Sequence, residues 1–591
     1  SHFRSHLAAA FLWRFHDGRM VKRDQRKGMC VAPYSAQLVC AAVIGSFLFG
    51  YSIANLNTTI EYVSLSLRWC GDDVTINCDA SRFNQASINT MVFAGAALGC
   101  FIGGQLVSFG RRRTLLYNNL AFIAGALLSA LAVDFWSLLI GRIITGLSVG
   151  VVTVAVPLYI AEVTEKESRG FYGSMHQLMI TIGILFAIAL GLPQASLTVS
   201  PPPLAPFENT WWRVVLGLGG VPAAISFIAF SLVYPFETPH FLVTRKREGE
   251  ARHVLERLVL SSVSKRGGAA DDSPSRAESR RVTSLSTAGR TSSPAPHPPQ
   301  QTPVDAQHTT TEGSRLLAAD SAAAEQVERR LSEIVRAVDE ANQASSKQMS
   351  LLSAMAMSPQ HRHAIIVGTV LSALQQWSGI NTFIAASNDV FIKAGVPQGS
   401  ATLCSTAMAT LNVVVTIGAA SAIDSALGRR GLLLIGTAGQ GLSLLPTSIA
   451  YMVGGPESKA VVYLSVMSVL GFVFFFAVAY GPVLWVYLNE IYPVEIRGTA
   501  VALASAMNWT STLIVVFLQK YMPNSIAYSL FAGLCLFACV FTYMYVLETK
   551  GKSIDQSPFF ATTQQQQQQQ PPDEEAPTRT AQQQLQQQEG G

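Results

Sequence analysis

The sequence predicts an all-α membrane protein of twelve transmembrane helices in two pseudo-symmetric six-helix halves, and three observations carry that prediction. Apolar residues fill 49% of the 591 positions and charged residues only 13%, with a mean hydropathy of +0.31, well away from soluble chains, in which about a quarter of residues are charged. The apolar residues cluster in windows of about 20, the length that crosses a bilayer core, six on each side of a long polar gap. Two junctions also repeat. Tyr159–Gly170 (YIAEVTEKESRG) and Tyr487–Gly498 (YLNEIYPVEIRG) keep Tyr, Glu, Arg and Gly at the same offsets, and Gly110-Arg111-Arg112 returns as Gly428-Arg429-Arg430. Repeated charged junctions between apolar spans mark a duplicated membrane domain.

In chain order the windows fall at 37–60, 86–109, 115–134, 138–160, 174–193 and 213–234, then at 364–385, 401–423, 431–453, 461–487, 498–520 and 525–547. Backbone polar groups in hydrocarbon must be bonded within their own segment, so each window reads as a helix. The implied organisation is an N-terminal segment 1–36, a first half 37–242, a central loop 243–361, a second half 362–548 and a tail 549–591. Within the loop, 262–320 is rich in Ser, Pro, Gly, Thr and Arg and is expected to be disordered. In Ala323–Asn342, by contrast, Val327, Leu331, Ile334 and Val338 recur at helical spacing. The tail is polyglutamine with an acidic patch. No short apolar core followed by a small-residue cleavage site opens the chain, so the first span is expected to direct insertion itself.

Orientation follows from Lys and Arg. One set of connections holds Lys22, Arg23, Arg26, Lys27, Arg111, Arg112, Arg113, Lys166, Arg169, Arg245, Lys246, Arg247, Arg429, Arg430, Arg497 and Lys550; the other holds Arg68, Arg82, Lys393, Lys459 and Lys520. The positive-inside rule places both termini and the central loop in the cytosol of a multi-pass protein, with the plasma membrane as the expected location. This asymmetry also accounts for the net charge of +5, leaving no reason to expect a nucleic-acid partner. Cys70 and Cys78 share the first external loop, where a disulfide fits an oxidising exterior and two free thiols are the alternative. No Cys or His cluster has metal-ligand spacing, so neither a metal nor a cofactor is expected. No nucleophile, base and stabiliser fall together, nor does a phosphate-binding loop, so an enzyme or ATP-driven pump is the least favoured class.

The E-x6-R-G repeats put Glu162 with Arg169 and Glu490 with Arg497 at the cytosolic ends of the fourth and tenth spans. Opposite charges seven apart share a helix face or meet across a helix end. A solvated boundary that fixes topology would explain either copy alone. Duplication favours a gate, with ion pairs between the halves that hold the cytosolic side shut and break when it opens.

These junctions, with the segments around them, resemble the sugar porters of the major facilitator superfamily. The resemblance spans all twelve windows and rests on Gly141–Gly150 (GRIITGLSVG), Pro157–Gly170 (PLYIAEVTEKESRG), His176–Leu185 (HQLMITIGIL), Phe236–Leu242 (FETPHFL), Gln375–Asn381 (QQWSGIN), Gly481–Gly498 (GPVLWVYLNEIYPVEIRG), Asn508-Trp509 and Leu547–Asp555 (LETKGKSID). The Cys-bearing external loop looks somewhat like that of kinetoplastid hexose transporters. The resemblance implies a major facilitator fold and facilitated diffusion of a hexose, most simply glucose, through sugar contacts at Gln177, Ile180, Ile184, Gln375, Gln376, Asn381, Asn412, Trp485 and Asn508. It implies a cytosolic gate at Arg111, Arg112, Glu162, Arg169, Asp424, Arg429, Arg430, Glu490 and Arg497.

Physical chemistry supports that site. A sugar is uncharged and rich in hydroxyls, so amides that donate and accept, plus one aromatic face, are the groups it needs. In an unbroken helix Gln376 and Asn381 would point about 140° apart; a break at Gly379 would bring them to one ligand, and broken helices at mid-membrane are where transporters bind substrate. Amide glue between helices is the alternative for this cluster. A handful of net hydrogen bonds at about 0.5–1.5 kcal/mol each gives millimolar-class binding.

Some positions depart from the resemblance. Ile384, Ala385 and Ala386 stand where aromatics are usual, predicting a wider or less polar outer gate, and Ala477 replaces an acidic residue in the tenth span. Val107 and Ser108 replace the Asp and Arg before the first Gly-Arg-Arg, so the first-half lock is expected to be weaker. Gly50-Tyr51 is followed by Ser52 where proton-coupled relatives carry Asp; serine does not titrate near neutrality, and Glu61 lies only at the outer end of the span. Facilitated diffusion is therefore expected, with a proton-coupled sugar or polyol symporter or a non-transporting sugar sensor as alternatives. Arg142 is expected to snorkel, with Asp134 as a partner, and His176 to be a packed histidine.

Overall fold

The computed structural model describes residues 33–71, 78–165, 168–195, 206–271, 321, 323–339, 359–422, 427–454, 459–492 and 494–550. The N-terminal segment through residue 32, most of the central insert, Lys166, Asp424 and the glutamine-rich tail lie outside them. Every regular element among the described residues is helical. The first half comprises α1 (Tyr34–Ala54), α2 (Ile60–Ser66), α3 (Asp79–Leu106), α4 (Arg111–Ala130), α5 (Phe135–Val163), α6 (Arg169–Ala189), α7 (Pro206–Leu218) and α8 (Gly220–Ile228). Next come α9 (Pro239–Thr244), α10 (Glu248–Asp271) and α11 (323–339). The second half holds α12 (Pro359–Trp377), α13 (Ile380–Lys393), α14 (Gln398–Ala422), α15 (Gly428–Gly454), α16 (Lys459–Phe475), α17 (Gly481–Ile491), α18 (Val494–Gln519) and α19 (Asn524–Tyr545).

Ten spans are long and apolar enough to cross a membrane among the described residues. The two other expected spans have visible reasons for their weaker signal. Helix α4 opens on Arg111-Arg112-Arg113, which dilutes its hydropathy, and the seventh span is divided into α12 and α13. The first span is shorter than expected, ending at Ala54. Its next residues, Asn55 to Thr59, form a turn in which the Thr59 hydroxyl donates to the Asn55 carbonyl at 3.0 Å, the local bonding by which such residues leave a helix.

Close backbone packing builds each half. In α3 and α5, Gly99 and Gly146 face the partner helix directly: an added Cβ would lie 2.2 Å from the Leu147 carbonyl oxygen at Gly99, and 2.2 Å from that of Val92 at Gly146. Only small residues allow helices to approach so closely, which is how membrane helices associate without a hydrophobic driving force. The halves then meet along two seams, α18 against α3 and α14 against α6. These pair the second span with the eleventh and the fifth with the eighth, as a two-fold relation between halves requires.

In the central loop, α11 covers most of the expected short helix and is held by Arg330 to Glu165 (2.9 Å) and by Glu328 to Arg252 of α10 (2.6 Å). Helix α10 corrects the disorder expected from residue 262, because it continues to Asp271. Ala251, Val254, Leu255, Leu258 and Val259 bury one face of it, and a helix so anchored propagates cheaply through the residues that follow. At the opposite end of the bundle Cys70 and Cys78 form a disulfide.

Candidate functional site

The seventh span breaks at Gly379, whose φ of 95° is left-handed and whose added Cβ would stand 2.7 Å from the Phe531 ring. Glycine alone takes that conformation without steric cost. The break returns the chain so that the Asn381 amide donates to Gln376 Oε1 at 2.6 Å. Gln376 Nε2 in turn donates to Asn508 Oδ1 at 2.9 Å, while Asn508 Nδ2 donates to Gln375 Oε1 and to the Ser372 carbonyl, both at 2.9 Å. Gln375 Nε2 donates to the Tyr480 carbonyl at 2.9 Å. Four amides from α12, α13 and α18 thus form one buried network whose donors and acceptors are interchangeable with ligand hydroxyls.

The remaining candidates are placed around this network without joining it. Gln177, Ile180 and Ile184 recur at helical spacing on one face of α6, the two isoleucines buried and the glutamine half-buried. Asn412 is buried on α14, with Thr416 of its own helix as neighbour, and Trp485 is half-buried on α17. Among the described residues no hydrogen bond links Gln177, Asn412 or Trp485 to the amide network. Trp509, next to Asn508, reaches across to the first half, its ring 5.3 Å from that of Phe49 and 6.1 Å from that of Phe93. Neither phenylalanine was singled out by the sequence, in which an aromatic in a span looks like lipid-facing filler.

At the disulfide end, the halves are fastened by Asn57. Its Nδ2 donates to the Ile384 carbonyl (2.7 Å) and to Ser387 Oγ (2.8 Å), and its Oδ1 accepts from the Asn388 backbone N–H (3.0 Å). The segment it grips kinks at Ala386 (φ −138°, ψ 21°). In this conformation Ile384 and Ala385 are buried, and a polar latch onto the backbone of Ile384 and Asn388 closes the seam. Asn57 also opens an Asn-Thr-Thr sequon, which its burial leaves inaccessible to glycosylation in this conformation.

At the arginine-rich end the two halves repeat one network. Gly110 (φ 136°) and Gly428 (φ 67°) precede helices whose first backbone N–H groups hold a carboxylate: those of Arg112 and Arg113 bond Glu237 at 2.9 and 3.0 Å, and those of Arg429 and Arg430 bond Glu548 at 2.9 and 3.0 Å. A helix N-terminus is the natural seat for an anion. Arg111 pairs with Glu162 at 2.9 Å and Arg429 with Glu490 at 3.1 Å. Thr238 and Thr549 each donate a hydroxyl at 2.5 Å to Glu162 and Glu490 respectively. Glu237-Thr238 of FETP and Glu548-Thr549 of LETK are thus a third repeat, two residues long and legible only once their contacts are seen.

One expectation is corrected here, that the Glu and Arg of each repeat meet. Among the described residues Glu162 and Glu490 form their ion pairs within each half in this conformation, each glutamate turning to the Gly-Arg-Arg junction of its own half. Arg169 is exposed at the start of α6 with no ion pair among the described residues, and Arg497 donates to the Tyr492 carbonyl at 3.0 Å. Each junction also holds its carboxylate with two successive backbone N–H groups, those of Arg112 and Arg113 in the first half and those of Arg429 and Arg430 in the second; Asp424, on which the expected difference in strength between the halves turns, lies outside the described residues. Nearby His240 is held below the usual imidazole range by burial, which outweighs the opposing pull of Glu162.

Arg142 overturns its expectation too. It is buried within the first half rather than snorkelling, and donates to the Ser52 carbonyl (3.0 Å), Asn55 Oδ1 (3.0 Å) and the Ile88 carbonyl (3.3 Å). Asp134 instead caps its own helix, accepting from the Ser137 N–H at 3.0 Å. His176 packs inside the first half against the Ser46 hydroxyl at 2.7 Å, as a packed histidine should.

Two pseudo-symmetric helical halves, a polar network at a broken mid-membrane helix and seams that differ at the two ends define a membrane transporter of the major facilitator type. The family is settled by comparison: the profile of the sugar (and other) transporter family matches residues 38–282 and 306–558, and the chain belongs to that family. It is 33% identical over 538 residues to hexose transporter 1 of Toxoplasma gondii, covering 89% of this chain and 82% of that one. It is 32% identical over 535 residues to hexose transporter 1 of Plasmodium falciparum, covering 89% and 92%. Among solved structures, the partially occluded inward-open form of the xylose transporter XylE from E. coli aligns with a TM-score of 0.64 at 20% identity, covering 88% of this chain and 99% of that one. The XylE proton:xylose symporter bound to 6-bromo-6-deoxy-D-glucose aligns equally well, at 0.64 and 22%.

Proposed function

We propose that this sugar transporter carries a hexose, glucose being the first to test, down its gradient by alternating access. The observation that carries the reading is the network of Gln375, Gln376, Asn381 and Asn508: neutral, buried, and able to exchange internal hydrogen bonds for those of sugar hydroxyls at little net cost. Trp485 offers the apolar face, and Gln177, Ile180 and Ile184 the opposite wall. The hexose transporters of Toxoplasma and Plasmodium named above support the substrate class.

Uniport is favoured by Ser52 and by what surrounds Arg142. A buried carboxylate that could take and release a proton would belong beside that guanidinium, and its acceptors are two backbone carbonyls and an amide. By the positive-inside rule the arginine-rich end is cytosolic and the disulfide end external, at the plasma membrane. The Asn57 latch then seals the outside, and the conformation faces inward. The repeated arginine networks act as rigid corner-pieces that keep each half intact as the halves rock.

Counterflow of labelled hexoses in liposomes tests this, with Gln376→Ala and Asn381→Ala as controls. Counterflow by the parent and its loss in both variants is expected; none by correctly inserted protein defeats the carrier reading. Alkalinisation of the medium on adding sugar in a pH-clamped assay would replace uniport by proton symport.

A further inference from the structure

Glu61 is the one acid that the first half contributes to the seam at the disulfide end, among the described residues with contacts across it. It sits in α2, one turn beyond Asn57, and accepts from Gln398 Nε2 of the second half at 3.3 Å. Beyond Gln398 stands a second carboxylate: Asp389 Oδ2 holds Lys393 at 3.0 Å and Lys520 at 3.3 Å. Both ammonium groups are thus engaged on one oxygen of Asp389, and Glu61 meets the pair from the opposite half with a neutral amide as its hydrogen-bond partner. The other elements packed on α2 turn their charges elsewhere: α3 carries Asp79 and Arg82, which pair with each other at 3.6 Å, and on α7 Asn209 faces the Ser66 hydroxyl at 2.5 Å while Arg213 donates to the Ala130 and Ala132 carbonyls at 3.0 and 2.6 Å.

We propose that Glu61 is a proton-binding latch of the gate at the disulfide end, protonated when the seam is closed and ionised when it is open. Closing the seam takes the carboxyl out of water and carries it toward Asp389, and both effects disfavour its charged form. Accordingly the Glu61 pKa in the closed seam is raised above the ordinary carboxylate value, first by burial and then by the charge of Asp389, with Lys520 pulling the other way. The sign follows from linkage. A group with its pKa raised in the closed state stabilises that state at pH below its open-state value, and the stabilisation is lost as pH rises through the closed-state value. Acid at that face therefore holds the gate shut and neutral pH frees it. This modulates a gate without coupling a proton to transport, because the carboxyl would bind and release its proton on the same side of the membrane.

The inference rests on the alternating-access reading, and its test reads the gate without sugar. Ala385, buried under the Asn57 latch, is replaced by cysteine in purified protein, and maleimide labelling of that site over the parent background is followed in Ala385→Cys and in Ala385→Cys with Glu61→Gln. Comparing the two at the same pH cancels the pH dependence of the thiol. The carboxylate form should label about tenfold faster than the Gln variant at about pH 8, and the ratio should fall toward one only as pH drops below the ordinary carboxylate value of about 4.3. Asp389→Asn should shift the transition to lower pH. A ratio that does not change with pH overturns the latch. Failure of hexose counterflow alongside a pH-dependent ratio would overturn the carrier reading and leave the latch standing.

Discussion

Asn381 Nδ2 donates to Gln376 Oε1 at 2.6 Å across the break at Gly379, joining two residues that an unbroken helix would separate by about 140°. The candidate site exists because of that glycine.

Gly379→Ala should therefore damage both fold and transport. A left-handed alanine costs about 1–2 kcal/mol, and its Cβ would stand 2.7 Å from the Phe531 ring. A lower melting temperature in detergent is expected, with at least about a tenfold loss of hexose flux if the strain appears as lost helix geometry. A normal melting temperature together with normal flux would contradict this account.

Asn508→Ala removes one acceptor and two donors from the network. At about 1 kcal/mol per net bond the KM for hexose should rise roughly tenfold or more. Because Gln375 and Gln376 then lose a partner, thermal stability should fall as well. A variant with unchanged KM would place the sugar elsewhere.

Asn57→Ala loses three bonds across the closed seam while leaving each half intact. At about 1 kcal/mol each, even one net bond shifts the equilibrium between the two faces by about fivefold toward the form open at the disulfide end. Labelling of a cysteine at Ala385 should accelerate accordingly, whereas the melting temperature should change little.

Glu548→Gln and Glu237→Gln should weaken stability to similar extents, about 1 kcal/mol as for a lost helix cap, because the two carboxylates occupy equivalent seats. Glu548 also predicts a pH dependence. Burial alone would raise its pKa, but the N–H groups of Lys550, Arg429, Arg430 and Thr549 outweigh burial and hold it low. Its stabilisation is then fully present above the unfolded carboxylate value, about 4.3, and is lost as pH falls through the lower folded value. The gap in melting temperature between parent and Glu548→Gln should close on acidification below about pH 4.

The sequence by itself determined the class, because length and hydropathy of a span are local properties that the bilayer enforces, and duplication is visible wherever charged junctions repeat. It also pointed to the residue types of the candidate site, since the QQWSGIN segment concentrates amides around a glycine. Contact partners were beyond it. Glu162 and Arg169 are neighbours in sequence, yet Glu162 turns to Arg111, fifty-one positions away, because the glycine-led turn before α4 brings the Arg111 guanidinium to it while Arg169 opens a new helix toward solvent. Asn57 and Glu61 looked like the end of a span, and only the meeting of the two halves, which buries Asn57 against α13 and sets Glu61 beside Gln398 of α14, gives them partners across the seam. What tertiary structure decided was thus every interaction whose partner lies in another span, since packing sets those distances and spacing along the chain does not.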